Sequence, residues 1–260
     1  MRVTLVPSSV GDIHADPNPH QYSTSYLLND SIALDAGGLG FYEDPERQSL
    51  IKHILVTHSH IDHVASLPVF VENAFEGKPD CVTIHASEVV LDSLHRDLFN
   101  DRIWPDFIKM SPPEAEAPFL RLQTIEPRRP FELDGLRFTP IPVDHLVPTL
   151  GFVVEDQRSA ILVVSDTGPT EEIWRIASQV PNLKAVFLEA SFPNSMKWLA
   201  DTSKHLTPDM FKIEAAKLGK DAKFIAVHIK ARWRDQIIAE LRELGLPNLE
   251  IGRFGIAYDF

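Results

Sequence analysis

A dense group of potential metal ligands occupies residues 58–63, which read His-Ser-His-Ile-Asp-His and follow three apolar residues at 54–56 after one threonine. Imidazole nitrogens and carboxylate oxygens are the ligands that zinc and similar divalent metals take in proteins. Along an extended turn, His58 and His60 can point to one side, while Asp62 and His63 reach a second point nearby. Such an arrangement suits two adjacent metal ions, and a pair of ions suits a hydrolytic reaction.

The segments around this group predict an α/β fold. Residues 54–57 form a compact apolar strand, and ligand sites commonly lie at the carboxyl ends of strands in such folds. Strand patterns also cover residues 3–7, 25–28, 32–35, 81–84, 131–133, 136–143, 150–154, 160–165, 185–189 and 223–228. Helical patterns cover residues 64–75, 171–179, 208–217 and 234–244. Ser87 is the predicted N-cap of a further helix that extends to about Phe99.

Both halves of the chain are rich in strands and end in helices. This predicts two sheets packed face to face with helices outside, an αββα sandwich. Residues 111–130 lack apolar periodicity and are interpreted as an irregular surface linker. Because strand patterns resume directly after this linker, we expect a single domain over residues 1–260.

Composition and charge narrow the classes of function. The apolar share of 44% is typical of a globular protein, and 37 acidic against 25 basic side chains give a formal net charge of −12. An acidic chain has no general attraction for nucleic-acid backbones, so long RNA or DNA is an unfavourable partner. Cys81 is the single cysteine, which excludes an intramolecular disulfide. No apolar run approaches the roughly 18–20 residues of a membrane span, and the N-terminus lacks a signal-peptide core, so we expect a soluble, cytoplasmic protein.

The motif at residues 58–63 resembles the His-x-His-x-Asp-His signature of the metallo-β-lactamase superfamily. Further positions resemble the landmarks of that superfamily in order, namely Asp35, His145, Asp166 and His228. A narrower resemblance is to class II 3′,5′-cyclic-nucleotide phosphodiesterases. It depends on residues 58–67, on the Phe-Asn…Ile-Trp-Pro pattern within 98–105, on residues 189–194 and 205–208, and on residues 228–230.

This resemblance implies a site for two divalent metal ions, with Asp166 bridging them. One ion would be bound by His58, His60 and His145, and the other by Asp62, His63 and His228. Histidine and aspartate suit zinc first, with manganese or iron as alternatives. A carboxylate can span ions about 3.5–4 Å apart, and water between two such ions loses its proton near neutral pH and becomes a nucleophile. The implied reaction is hydrolysis of a small anionic phosphodiester, cAMP or cGMP, to the 5′-nucleotide.

Three residues are predicted to take part in the reaction itself. Asp62 does so as a metal ligand. His205, at the predicted start of a helix, is the candidate acid that protonates the leaving 3′-oxygen. Glu189, after an apolar strand, is a candidate hydrogen-bond partner of His205 or of a ligand histidine. The alternatives are that Thr207 caps the helix beside a solvated His205, and that Glu189 is an ordinary carboxylate at a strand end.

Residues 100–107 supply the candidates for contact with the substrate. They are Asn100, Trp104 and Phe107, and aromatic faces favour stacking on bases by ~1–3 kcal/mol. The spacing of the two aromatic residues fits core packing equally well. His14 and His20, in a loop rich in proline and asparagine, either line the mouth of the pocket or are solvated.

Other functions share parts of this pattern. A tRNA 3′-processing endonuclease of the same fold would use the same ligands, but its RNA-gripping arm needs basic residues, and residues 111–130 are short and mixed in charge. A thioester or lactone hydrolase would also have the same ligands. A non-catalytic metal-binding protein more commonly closes its zinc site at four ligands. Residues 99–105 and 189–194 favour phosphodiester chemistry. A homodimer is compatible with the fold, although no segment specifies one.

Overall fold

The computed structural model describes residues 1–7 and 23–260, and within them the strands form two sheets of seven strands each. The first sheet has the spatial order β14 (Ala257–Asp259), β1 (Arg2–Leu5), β2 (Tyr26–Leu28), β3 (Ile32–Leu34), β4 (His53–Leu55), β5 (Val82–Ala86) and β6 (Leu120–Thr124). The second has the order β13 (Leu249–Ile251), β12 (Lys223–Val227), β11 (Leu183–Glu189), β10 (Ala160–Val163), β9 (Thr149–Glu155), β8 (Leu136–Val143) and β7 (Phe131–Leu133). His14 and His20 lie outside the described residues.

Helices connect the strands of both sheets. The α-helices of the described residues are α1 (Pro45–Gln48), α2 (Ile61–Val64), α3 (Leu67–Asn73), α4 (Glu88–Ser93), α5 (Glu172–Ala177), α6 (Lys197–Ser203), α7 (Pro208–Ala216) and α8 (Arg234–Glu243). Short 3₁₀ turns cover Leu39–Phe41, Asn194–Met196 and Ala231–Trp233, and a π-helical turn covers Leu94–Leu98. Within the described part of the chain, no helix is long and apolar enough to cross a membrane.

The layer order follows from the alternation of side chains along the strands. Leu55 in β4 faces the core between the sheets, where it joins Phe152 and Phe187 of the second sheet. Its neighbours Ile54 and Val56 point to the opposite face and pack under the helices. Successive residues of a strand point to opposite faces, so fully apolar strands mark a sheet that is covered on both sides. The predicted αββα sandwich is confirmed. Because the inner core takes residues from both sheets, we propose that residues 1–260 form one domain.

The prediction of an irregular linker over residues 111–130 is wrong in part, because β6 (Leu120–Thr124) lies within it. This strand pairs with β5 in parallel and is an edge strand. The sequence pattern that indicates this strand is a short alternation of apolar and other residues, in which Leu120 and Leu122 pack on the core under the helices. Five residues with two apolar positions give too weak a pattern beside the five prolines of the segment.

Two predicted helices differ from the observed ones in informative ways. The helix predicted over residues 64–75 is split into α2 and α3, and Pro68 lies in the first turn of α3. Proline fits the first turn of a new helix better than the interior of a continuous one. Ser87 is at the N-cap of α4 as predicted, but its side chain makes no capping hydrogen bond. The helix after it ends as the π-helical turn Leu94–Leu98.

The two sheets bring their strand ends to one edge of the sandwich. In the first sheet, β3 is followed by Asp35 and β4 leads into residues 57–63. In the second, His145, Asp166 and His228 each follow a strand, and Glu189 ends one. The backbone N–H of Leu150 donates to the Thr57 carbonyl across the two sheets at 3.1 Å, which holds this edge together.

Candidate metal centre

Three histidines from two loops meet at this edge. Nδ1 of His60 lies 3.1 Å from Nε2 of His58 and 3.1 Å from Nε2 of His145. His58 and His145 are buried, and His60 is half-buried. With Asp166 they offer four potential ligand atoms that all lie within 4.8 Å of one another. Three imidazole nitrogens and a carboxylate at this spacing can surround one cation.

A second group of potential ligands lies beside the first. Its members are Asp62, His63 and His228, with Nε2 of His228 3.2 Å from Oδ2 of Asp62. Asp166 lies between the two groups. Its Oδ1 is 3.4 Å from Nε2 of His63, and its Oδ2 is 3.4 Å from Nε2 of His228 and 3.9 Å from Nε2 of His58. The structure therefore brings all seven predicted ligands together, with the carboxylate of Asp166 facing both groups.

Three residues at this edge have left-handed backbone conformations without being glycine. They are Asp35, Ser165 and His228, with φ of 62°, 65° and 54°. Such conformations cost on the order of 1–3 kcal/mol each and persist where surrounding contacts over-determine them. Asp35 and His228 directly follow β3 and β12, and Ser165 lies two residues beyond the end of β10. The strained positions thus coincide with the convergence of ligands.

The buried carboxylate of Asp35 orders the first sheet's side of the centre. Its Oδ1 accepts the backbone N–H of Thr57 at 2.8 Å, and its Oδ2 accepts the Thr57 hydroxyl at 2.9 Å. Oδ2 also lies 2.7 Å from Nδ1 of His63. The Thr57 hydroxyl in turn is 2.9 Å from Nδ1 of His58. A carboxylate that accepts from Nδ1 leaves Nε2 of the same ring as the lone pair for a metal, which is the usual role of such a partner.

Glu189 occupies the corresponding place on the second sheet. Its Oε1 lies 2.8 Å from Nδ1 of His205, and its Oε2 accepts the hydroxyl of Ser191 at 2.6 Å. Oε1 also accepts the backbone N–H of Thr167, which follows Asp166. The predicted hydrogen bond between Glu189 and His205 is therefore present in the structure. The catalytic roles of these two residues stay predictions.

Burial favours the neutral form of three imidazoles at the centre. Burial lowers the pKa of His58 well below its usual range, and it also lowers those of His60 and His145. Burial opposes the charged form of His63 too, but the carboxylates of Asp166 and Asp35 outweigh it and raise the pKa of His63 well above normal. Neutral imidazoles have free lone pairs, so the rings of His58, His60 and His145 are ready to bind a metal.

The carboxylates respond to burial in different ways. Burial would raise the pKa of Asp166, but His228 and His63 beside it hold that pKa well below the usual range. His228 has the same effect on Asp62 and lowers its pKa despite partial burial. For Asp35 burial prevails over His63, and its pKa is raised. Two ionised carboxylates therefore face the space between the rings, where a cation would balance their charge.

These side chains fit a divalent metal ion by several independent features. Nε2 of His63 is buried and has no hydrogen-bond partner among the described residues. Nδ1 of His145 donates to the backbone carbonyl of Lys204 at 3.0 Å, which leaves its Nε2 free to accept a metal. Buried polar atoms that lack a partner normally indicate a missing ligand, ion or water. The combination of imidazole and carboxylate donors suits zinc, manganese or iron.

The predicted substrate residues lie in a separate loop that follows α4. Phe107 is buried and stacks on Phe119, with ring centroids 4.3 Å apart. Oδ1 of Asn100 accepts the backbone N–H groups of Arg102 and Ile103 and closes a turn. Trp104 is half-buried. Among the described residues, no hydrogen bond or ring contact connects these three residues to the seven ligands, and their role in substrate binding stays a prediction.

Sequence reasoning missed three polar residues at the centre. Thr57 and Ser191 connect carboxylates to ligand histidines. Nζ of Lys230 lies 3.3 Å from Oδ2 of Asp62 and 3.4 Å from Nε2 of His228. Each of the three is one or two residues from a ligand or from Glu189, and that proximity along the chain was the available signal.

Comparison with known proteins identifies relatives across most of the chain. A family model described as a beta-lactamase superfamily domain matches residues 38–229. A probable 3′,5′-cyclic-nucleotide phosphodiesterase of Yersinia pestis is 30% identical over 233 residues, which are 79% of this chain and 64% of that protein. An endoribonuclease YSH1 of Candida albicans is 28% identical over 183 residues, 63% of this chain and 20% of that protein. The chain thus spans less than two thirds of the length of these curated relatives.

Solved structures extend the similarity of fold to the whole chain. A crystal structure of unliganded yeast PDE1 superposes with a TM-score of 0.78 over 98% of this chain and 98% of that chain, at 20% sequence identity. At this identity the likeness concerns the fold. Both sheets and the strand ends that carry the ligands therefore belong to an architecture seen in solved proteins.

Proposed function

The chain belongs to the beta-lactamase superfamily, and we propose that this member is a metal-dependent phosphodiesterase that hydrolyses 3′,5′-cyclic nucleotides to 5′-nucleotides. The similarity to the Yersinia pestis protein, which is named a probable cyclic-nucleotide phosphodiesterase, supports this choice of substrate class. The dinuclear character of the site, the use of zinc and the preference between cAMP and cGMP are parts of the proposal.

The position of Asp166 carries the proposal. Its two oxygens lie 3.4 Å from Nε2 of His63 and 3.4 Å from Nε2 of His228, and Oδ2 is 3.9 Å from Nε2 of His58. A carboxylate that faces two groups of nitrogen ligands can bind one cation on each side. A structural zinc site closes with four ligands and has no need of a second group.

The proposed ion sites divide the ligands as the two groups do. One ion would be held by His58, His60, His145 and Asp166, and the other by Asp62, His63, His228 and Asp166. Two divalent ions in such a site supply Lewis acidity, which lowers the pKa of water and neutralises charge on a phosphoryl group. The chain's own contribution is to orient these donors, and the buried partners of the rings do this.

His205 is the proposed acid for the leaving 3′-oxygen. Burial disfavours its charged form, but Glu189 outweighs burial and raises the pKa of His205. A protonated ring can donate through the nitrogen that Glu189 does not hold. His205 is stacked on His228 with centroids 5.5 Å apart, so it lies beside the ligands without belonging to the first group. An acid so placed could reach an oxygen of a phosphoryl group bound at the centre.

A hydrolysis assay on the zinc-loaded protein, with metal content measured on the same sample, tests this function. We expect 3′,5′-cAMP or 3′,5′-cGMP to be converted to the 5′-nucleotide, identified by chromatography. Bis-p-nitrophenyl phosphate, S-lactoylglutathione and a short single-stranded RNA serve as parallel substrates. Asp166→Asn, purified in the same way, is the control for contaminating phosphodiesterases.

The parallel substrates separate the alternatives. Turnover of the RNA without cyclic nucleotides would replace the proposal with an endonuclease function, in line with the similarity to YSH1. Turnover of the thioester alone would keep the metal centre and reject phosphodiester chemistry. A metal-loaded protein that hydrolyses none of the four would contradict an enzymatic role on these substrate classes.

A further inference from the structure

The hydroxyl of Ser191 is a junction between Glu189 and the ligand His228. Oγ of Ser191 lies 2.6 Å from Oε2 of Glu189, 2.9 Å from Nδ1 of His228 and 3.3 Å from Nδ1 of His205. The backbone carbonyl of His228 is 3.1 Å from the same oxygen. Ser191 is fully buried, so water cannot replace any of these contacts without a structural change.

The available protons fix the direction of these hydrogen bonds. A serine hydroxyl donates one proton, and the ionised carboxylate of Glu189 at 2.6 Å is the shortest and strongest acceptor. The hydroxyl oxygen is then an acceptor for a ring N–H. Nδ1 of His205 has the carboxylate oxygen Oε1 of Glu189 at 2.8 Å as its own acceptor. Nδ1 of His228 has the Ser191 oxygen as its one acceptor among the described residues, so it donates there.

We propose that Ser191 is a positioning residue that fixes the tautomer of His228. With the proton held on Nδ1, the lone pair of Nε2 faces Asp62, Asp166 and the proposed metal ion. This inference rests on the proposed metal centre and concerns one half of it. Ser191 itself touches neither metal nor substrate, and it acts through His228.

A competing hydrogen bond makes this role necessary. Nε2 of His228 is 3.2 Å from Oδ2 of Asp62, so the other tautomer would donate Nε2–H to that carboxylate. A ring in that tautomer offers no lone pair toward the site, and it also occupies an oxygen of Asp62. Ser191 therefore favours the tautomer that binds a metal over one that closes the same two ligands on each other.

Two other ligand histidines have Nδ1 partners of a different kind. His145 donates Nδ1–H to a backbone carbonyl, and His63 donates to the carboxylate of Asp35. A substitution cannot remove the carbonyl, and Asp35 is needed for several contacts. Among the described residues of the second sheet, Ser191 is the partner of a ligand-histidine Nδ1 that a substitution can delete by removing a single oxygen. Its backbone N–H donates to the Leu206 carbonyl at 3.0 Å, and that bond stays in an alanine variant.

The test is a titration of the two sites with zinc in wild type, Ser191→Ala and Ser191→Thr, read against a competing chelator. We expect Ser191→Ala to weaken one of the two zinc sites about 10–100-fold and to leave the other within a factor of two or three. Ser191→Thr keeps the hydroxyl and should restore most of the lost affinity. Ser159→Ala is the matched control, since Ser159 is also buried and also donates to a carboxylate, that of Asp156, at the opposite end of β10 from Asp166.

A second readout does not depend on catalysis or on the size of the affinity change. In the zinc-loaded wild type, ¹⁵N NMR of the histidine rings should show His228 with zinc on Nε2 and a slowly exchanging proton on Nδ1. The exchange of that proton should accelerate in Ser191→Ala. Zinc affinities in Ser191→Ala that match the wild-type values at both sites, or a proton on Nε2 of His228 in the zinc-loaded wild type, would overturn the inference. Both outcomes are independent of whether cyclic nucleotides are the substrate.

Discussion

The two sheets hold the ligands of this protein with the same local chemistry. On the first sheet, Asp35 contacts the ring of His63 directly and reaches His58 through the hydroxyl of Thr57. On the second, Glu189 contacts the ring of His205 directly and reaches His228 through the hydroxyl of Ser191. In both places a buried carboxylate at a strand end orders two imidazoles, one by direct contact and one through a hydroxyl.

The two sheets differ in the surroundings of the histidine that contacts the carboxylate directly, His63 on the first sheet and His205 on the second. The side chain of His63 is fully buried, and Nε2 points at Asp166. The side chain of His205 keeps 10% of its surface exposed. Burial prevails at Asp35 and raises its pKa, while His205 holds the pKa of Glu189 below normal. In our proposal, the same arrangement orients Nε2 of His63 toward a metal ion on the first sheet and a proton of His205 toward the substrate on the second.

Asp166 is the residue that joins the two sides, and its loss should have the largest effect. Asp166→Asn keeps the shape but removes the negative charge and one of the two acceptor oxygens. We expect hydrolysis to fall by on the order of 10⁴-fold or more, since several kcal/mol of charge stabilisation are lost. Metal analysis of the same sample should show less than the wild-type content. A variant with full activity would exclude a bridging role for this carboxylate.

The proposed role of His205 as the acid for the leaving oxygen is tested by His205→Asn. Asparagine can still donate to Glu189 but cannot act as an acid near neutral pH. Turnover should fall about 10²–10⁴-fold, the usual contribution of a general acid, while both metals stay bound. An activated substrate whose leaving group needs no proton, such as bis-p-nitrophenyl phosphate, should lose much less. Equal losses on both substrates would mean that His205 has a structural role.

The proposed role of Asp35 in orienting His63 toward a metal ion is tested by Asp35→Asn. An amide can still accept the Thr57 N–H, but it holds His63 and the Thr57 hydroxyl less strongly. We expect zinc affinity to drop about 10–100-fold, with turnover recovering when zinc is supplied in excess. Asp156→Asn is the control, because Asp156 also accepts a side-chain hydroxyl, that of Ser159, but contacts no histidine among the described residues. If the loss in turnover persisted at saturating zinc, Asp35 would do more than support metal binding, and its proposed difference from Glu189 would be wrong.

The structure brings the seven predicted ligands together because each follows a strand end. Three histidines and an aspartate within residues 58–63 have little freedom to diverge once β4 is fixed, and Asp166 follows a strand of four apolar residues. The residues that order the ligands were harder to predict. Ser191 is two positions beyond Glu189, and its contact with His228 depends on the left-handed conformation of His228, which no local pattern specifies.

The same reasoning explains the errors in the fold. Strand β6 is stabilised by its pairing with β5 and by a core that is distant in sequence, so its own five residues carry a weak signal. The division of α2 from α3 places His63 at the end of a single turn, and an uninterrupted helix pattern hid this boundary. Tertiary contacts decide both cases, and local propensity does not.

The smallest effect is expected from the ion pair that joins the loops of His145 and His205 at the surface. Lys204 pairs with Asp144, which precedes His145, and both side chains are more than one third exposed. An exposed pair contributes about 0–1 kcal/mol to the free energy of unfolding. Lys204→Met should therefore lower stability by less than about 1 kcal/mol in chemical denaturation, as should the control Lys197→Met, which removes another exposed pair.

Zinc affinity should be unchanged in Lys204→Met for a structural reason. Nδ1 of His145 donates to the backbone carbonyl of Lys204, which any residue at this position supplies. A large loss of metal in this variant would show that the ion pair holds the loop of His145 in place. Metal binding would then depend on this surface contact as well as on Asp166. If zinc affinity is unchanged, the proposed link between the metal ligands and His205 runs through Asp166 and does not need this ion pair.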